Sequence, residues 1–214
     1  MPPETTLGIE ANVGVNGRLG SGNEGFDTED PAGVAYALGA WFAPNRVYSV
    51  GLAYQRTGLG SGQTEPVAPS VTAQYDLNTI WLGGRAYPLR NDHVGMFLQI
   101  MVGGSWQEVR ASGTRATAEF GTPAETFSCS VSDGPGLSLS GGIGLDVDID
   151  RHLAFVASAE GGGHQQSGEL VDGCTLGVGS VATVLGRIGF MYRFDLDSES
   201  PAKAGAARRS AASR

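Results

Sequence analysis

The sequence predicts an all-β protein, an eight-stranded antiparallel up-and-down barrel that crosses a membrane with its strands. Three observations predict it. Eight stretches alternate apolar and polar residues at period two, and the links between them alternate short and long. No stretch approaches the roughly 20 apolar residues of a membrane helix, since even the most apolar segment, 94–102, is broken by Gly95 and Gln99. A sheet with one apolar face must hide that face, in a soluble core or in lipid.

The first stretch puts Leu7, Ile9, Ala11, Val13, Val15 and Leu19 on one face and Gly8, Glu10, Asn12, Gly14, Asn16 and Arg18 on the other. The second, 33–43, carries Val34, Tyr36, Leu38, Ala40 and Phe42 on its apolar face and ends in the turn signal Pro44-Asn45-Arg46. The third shows Tyr48, Val50, Leu52 and Tyr54, then a Gly-, Ser- and Pro-rich loop over 57–70. The fourth, 71–87, loses its phase at Ile80-Trp81-Leu82, where a β-bulge is expected. A short link over 88–93 leads to the fifth, with Val94, Met96, Leu98, Ile100, Val102 and Trp106 on one face.

A long loop is expected over 108–136. The sixth stretch then places Leu137, Leu139, Ile143, Leu145, Val147 and Ile149 opposite Ser138, Ser140, Gly142, Gly144, Asp146 and Asp148. After the link Asp150-Arg151-His152, the seventh, 153–164, turns Phe155, Ala157 and Ala159 outward and Ser158, Glu160 and His164 inward. The last, 180–194, has Ala182, Val184, Ile188, Phe190, Tyr192 and Phe194 on its apolar face.

Length and composition allow one domain: 214 residues, 41% of them hydrophobic, with nothing that marks a second core. The barrel is assigned to 7–194, preceded by a short segment 1–6 that reads as a mature or trimmed start and followed by a disordered tail, 195–214. A net charge of −8 argues against nucleic acid as a partner. The only lysine, Lys203, lies in the tail, whereas soluble barrels coat their outer face with lysine and glutamate. Tyr36, Phe42, Tyr48, Tyr54 and Trp106, with Tyr192 and Phe194, stand near the ends of the apolar faces, as interfacial girdles do.

The octet Arg187-Ile188-Gly189-Phe190-Met191-Tyr192-Arg193-Phe194 fills the pattern polar, any, Gly, any, any, apolar or aromatic, any, aromatic at Arg187, Gly189, Tyr192 and Phe194. It resembles the terminal β-signal of bacterial outer-membrane barrels. From about residue 7 to 194 the chain is similar to the small eight-stranded family typified by outer-membrane proteins A and X. That resemblance implies a Gram-negative outer membrane, surrounding lipid and lipopolysaccharide, and assembly machinery that reads the octet. Family members usually end at the terminal aromatic or continue into a folded domain, and here a 20-residue Ala-, Ser- and Arg-rich tail follows instead.

Eight strands enclose an interior just wide enough for side chains, so Glu10, Arg18, Arg85, Asp146, Asp148, Glu160, Arg187 and Arg193 are expected to pair into a plug. Cys129 and Cys174 fall in long loops on the same side, and a disulfide between them is expected in an oxidising compartment. The acidic loop with Glu24, Asp27, Glu29 and Asp30 lacks the ligand spacing of a calcium loop and reads as solvated charge. Neither a metal site nor a cofactor is expected. His164 and Ser167 are the obvious base and nucleophile of a lipid A-modifying barrel, yet residues three apart on a strand face opposite sides, so catalysis is disfavoured.

The expected protein is therefore a non-enzymatic membrane barrel with a plugged lumen. It would anchor the envelope or meet a partner through its outer loops or its tail. Two alternatives stay open: a lipocalin-like soluble barrel with its apolar face around a ligand, and a barrel subunit of a larger envelope assembly.

Overall fold

The computed structural model describes residues 5–21, 26–30, 32–64, 72–115, 125–172 and 174–196. Eight strands form the barrel: β1 (Thr6–Ser21), β3 (Ala32–Ala43), β4 (Tyr48–Thr64), β5 (Thr72–Arg90), β6 (Val94–Arg115), β7 (Glu125–Asp148), β8 (Leu153–His164) and β11 (Val181–Asp195). A short β2 (Phe26–Asp30) pairs with β4, and β9 (Leu170–Val171) pairs with β10 (Thr175–Leu176) in a small hairpin. Each barrel strand pairs antiparallel with the next in sequence, and β11 pairs with β1 to close the ring. Closure leaves the membrane-height part of the sheet without an edge.

The register fixes the shape. Following paired residues around the ring from Leu7 through Phe42, Val50, Gly84, Ile100, Gly141, Gly161 and Val184 returns to β1 at Gly17, a stagger of ten residues. With a rise of about 3.3 Å per residue and strands about 4.8 Å apart, that stagger tilts the strands by about 40°. The outward apolar run from Ile9 to Leu19 then covers about 25 Å along the barrel axis.

Apolar side chains face out and polar ones face in. Val15, Leu19 and Ile100 are 70%, 72% and 69% exposed, whereas Glu10 and Arg85 are 2% exposed. β11 shows the alternation without a break, with Thr183, Arg187, Gly189, Met191 and Arg193 inside and Val184, Ile188, Phe190, Tyr192 and Phe194 outside. Two interior glycines are needed for space: a Cβ on Gly144 would sit 2.2 Å from Phe97 Cζ, and one on Gly189 would sit 2.1 Å from the Ala11 carbonyl oxygen.

Three boundaries read from sequence are corrected. β4 continues to Thr64, β6 continues to Arg115 and β7 begins at Glu125, so much of 57–70 and 108–136 is strand and not loop. The reason is an inversion of polarity along the strands. In the apolar belt the outward face is greasy, but beyond it the barrel wall meets water, and the apolar residues Leu59, Tyr75, Leu77, Val109 and Ala111 turn inward and are buried. The lost phase at Ile80-Trp81-Leu82 has another cause, an apolar residue on both faces at once. β5 pairs without interruption there, with Ile80 and Leu82 outside and Trp81 1% exposed inside. Its irregularity falls instead between Ala86 and Leu89, at Pro88, where the missing N–H breaks the ladder.

The three short links share one device. A side-chain oxygen accepts the backbone N–H groups two and three residues on: Asn45 from Val47 and Tyr48, Asn91 from His93 and Val94, and Asp150 from His152 and Leu153. Those donors hold the Asp150 carboxyl below the usual carboxylate range. A depressed folded-state pKa adds stability above the unfolded value and loses it as pH falls through the folded one. Asp150→Asn should therefore lower stability slightly at neutral pH, leave it nearly unchanged below about pH 3 and so flatten its decline between about pH 4 and 3, as read by urea unfolding at neutral pH and at both ends of that range.

Candidate functional site: the lumen and its outer cap

Charged side chains fill the lumen in three tiers. Nearest the short turns, Arg193 from β11 pairs with Asp146 at 2.6 Å and with Asp148, both on β7, and Arg90 on β5 stands 3.6 Å from Asp146. Above them, Arg85 on β5 binds both carboxylate oxygens of Glu10 on β1, one at 2.9 Å, and donates to Gln99 Oε1 at 2.7 Å. Its guanidinium is sandwiched between the Trp41 ring at 3.8 Å and the Phe97 ring at 4.5 Å. In the third tier, Arg187 on β11 pairs with Glu160 on β8 and donates to Gln55 at 3.2 Å, while Ser158 donates to Glu160 at 3.0 Å.

Seven of the eight predicted lumen residues thus meet as three ion-pair groups inside the barrel. The eighth, Arg18, lies partly buried higher in the wall and belongs to none of the three. Around the pairs pack Trp41, Ala53, Trp81, Tyr87, Phe97, Met101, Val156 and Met191, an apolar lining that period-two reading hid among the polar-face positions.

His164 is inward and buried, but Ser167 is not its partner. Its Nδ1 stands 2.8 Å from Ser138 Oγ, which lies 2.6 Å from Ser105 Oγ, and Trp81 packs edge-on at 5.8 Å. Gln166 donates to the Ser105 carbonyl at 3.2 Å. Ser138 was missed because it sits 26 residues from His164 in sequence and becomes its cross-strand partner only through the β7–β8 register. Ser105, Ser138 and His164 are all buried, and together they form a hydrogen-bonded network inside the barrel wall.

Above it, the segment between β8 and β11 folds back over the mouth. Gln107 on β6 donates to Asp133 at 2.9 Å and to the Ser167 carbonyl at 3.1 Å, and its Oε1 accepts the Val178 N–H at 3.0 Å. Val178 joins the buried cluster of Leu59, Tyr75, Leu77 and Val109, with Phe127 and Val131 packed against it. The Cys129–Cys174 disulfide, with Cα atoms 5.9 Å apart, ties this cap to β7.

On the outer surface Tyr36, Phe42, Tyr48, Tyr54, Tyr192 and Phe194 are all exposed, and Trp106 is half-buried. Beside them Arg56, Asp76, Glu108 and Arg110 form a ladder across β4, β5 and β6, at 2.8 Å for Arg56–Asp76 and 3.3 Å for Arg56–Glu108. The hydrogen bond and charge of Arg110 hold the Glu108 carboxyl below its ordinary range. Asp27, Glu29 and Asp30 lie on β2, Glu24 lies outside the described residues, and among those described no cluster of potential metal ligands occurs.

No protein-family model matches the chain, and no curated protein is similar to it in sequence. Solved structures are similar to it in fold. Neisserial surface protein A is 13% identical with a TM-score of 0.50 over 89% of this chain and 96% of that one. A major outer membrane protein from Thermus thermophilus is 14% identical with a TM-score of 0.50 over 89% and 99%. All strands antiparallel, neighbours in sequence paired and the ring closed, the chain has the fold of the small eight-stranded outer-membrane β-barrels.

Proposed function

We propose that the chain is an integral protein of a Gram-negative outer membrane, its lumen closed to ions, acting by contact at its two ends and not by catalysis. The observation that carries this reading is the exposed apolar belt. Some thirty Val, Leu, Ile, Phe and Tyr side chains exposed on seven of the eight barrel strands would make a soluble protein aggregate, whereas lipid and lipopolysaccharide acyl chains cover them without cost. The same outward belt disfavours a lipocalin-like barrel, whose greasy face surrounds its ligand. Buried Ser138 and His164 disfavour a lipid A-modifying enzyme.

In this reading the long-loop end faces outside, where the disulfide-tied cap presents a rigid surface to an envelope or external partner. The short turns, the start of β1 and the end of β11 face the periplasm, and assembly machinery reads Arg187, Gly189, Tyr192 and Phe194 on β11. The tail, 195–214, apart from Asp195 and Leu196, lies outside the described residues, and contact with an envelope partner is its proposed role.

Two measurements test the reading. Detergent-extracted protein should run faster on an SDS gel before boiling than after and should fractionate with the outer membrane; a soluble, heat-insensitive protein would refute it. Reconstituted in a planar bilayer, it should give no steady unitary currents, because three tiers of paired charges close the path. Large, stable openings would overturn the closed lumen while leaving the barrel intact.

A further inference from the structure

The short-turn mouth contains a small cavity of about 20 Å³ that the ion-pair tiers do not account for. Arg46, Arg90 and Arg193 line it, and no acidic residue is among its lining residues. Ser49 also lines it; the residue is 3% exposed and its Oγ has no hydrogen-bond partner. An unpaired buried hydroxyl is costly unless something accepts or donates to it. On the lumen side the cavity is walled by Trp41, Tyr87 and Met191, which lower the local dielectric and strengthen any charge held there.

We propose that this mouth binds the terminal carboxylate of an envelope component, with the Ser49 hydroxyl and the Arg46 and Arg90 guanidiniums as its donors. The size favours the smaller anion. A volume of about 20 Å³ is little more than the roughly 10–15 Å³ that a water requires, so a flat carboxylate reaching in from the open mouth displaces less of the wall than a tetrahedral phosphate would. A guanidinium presents paired N–H groups that match a carboxylate in the same plane. Arg193 is held by Asp146 and Asp148 and serves as a wall of positive charge; Arg90 has one contact to Asp146, at 3.6 Å, and lies against the Tyr87 ring at 4.6 Å. The proposal rests on the outer-membrane reading only for the compartment: a mouth on the short-turn side would meet carboxylates of the cell wall, or else phosphates of inner-leaflet headgroups.

The test is a titration of the isotope-labelled barrel in detergent micelles with sodium acetate, followed by backbone amide NMR, with sodium chloride and inorganic phosphate at equal ionic strength as the other arms. Acetate should produce saturable shifts confined to the amides around Arg46, Ser49 and Arg90. Arg90→Gln should weaken the apparent affinity at least tenfold and Ser49→Ala about threefold, with unboiled gel mobility unchanged as the check on folding. If Arg90→Gln fails that check, Arg46→Gln, in a surface turn, carries the same expectation. Shifts that rise linearly and equally with chloride would reduce the effect to ionic strength and overturn the proposal. Saturation by phosphate in preference to acetate would overturn the carboxylate assignment and point to headgroups. Because heat-modifiability is read on the same sample, a barrel that fails to bind acetate sinks this inference alone.

Discussion

Replacing Glu10 with alanine should be the most damaging single substitution in the lumen, lowering stability by about 3–5 kcal/mol. Arg85 would keep its charge between Trp41 and Phe97, fully enclosed, with Gln99 as its remaining hydrogen-bond partner. The barrel cannot deprotonate a guanidinium to escape, and the lumen is too filled to hydrate it. Glu10→Gln should cost less, about 1.5–3 kcal/mol, because the amide oxygen still accepts one bond. The double change Glu10→Leu with Arg85→Met should recover more than half of the alanine loss, since it removes both charges and leaves an apolar fill. Urea unfolding in lipid vesicles, read by the gel shift, gives all three numbers. A loss under about 1 kcal/mol for Glu10→Ala would mean that water reaches Arg85 and that the plug is not dry.

The second large effect is expected at the other end. Cys129 and Cys174 are 45 residues apart in sequence, and a cross-link closing a loop of that size stabilises by about 2–4 kcal/mol through the entropy it removes from the unfolded chain. Replacing both with serine should lower stability by that amount, and the damage should concentrate in the outer sheet and cap, which unfold more locally than the membrane ring. Limited trypsin digestion would show it: cleavage after Arg110, on the outer face of β6 and half exposed, should quicken several-fold in the double serine variant. The unboiled fast-running band should persist. Equal digestion rates in both proteins would mean that Gln107, Gln166 and the packing of Val178 hold the cap without the cross-link.

The eight barrel strands were legible because each keeps strict alternation through the apolar belt, and because Pro44-Asn45, Asn91 and Asp150 mark the short turns. The disulfide was legible from topology, which puts both cysteines at the long-loop end. The strand extensions were not legible. A search for one constant phase loses a strand whose apolar side changes from outward at Leu52 or Ile80 to inward at Leu59 or Tyr75. The Ser138–His164 contact and the three ion-pair groups were also hidden: alternation places Glu10, Arg85, Glu160 and Arg187 on the inner face but says nothing of which cation meets which anion.

By itself, the sequence determined which residues of the apolar belt face each way, how many barrel strands there are and that they close in order, because period-two patterning and turn chemistry act within a few residues of one another. Only the tertiary structure decided the partners, since a stagger of ten residues around the ring sets the heights at which distant strands bring their side chains together. It pairs Glu10 with Arg85 across 75 residues and Arg187 with Glu160 across 27, and leaves Ser49 facing three arginines at the mouth. Those meetings depend on tilt and register, properties of the closed sheet that no single strand carries.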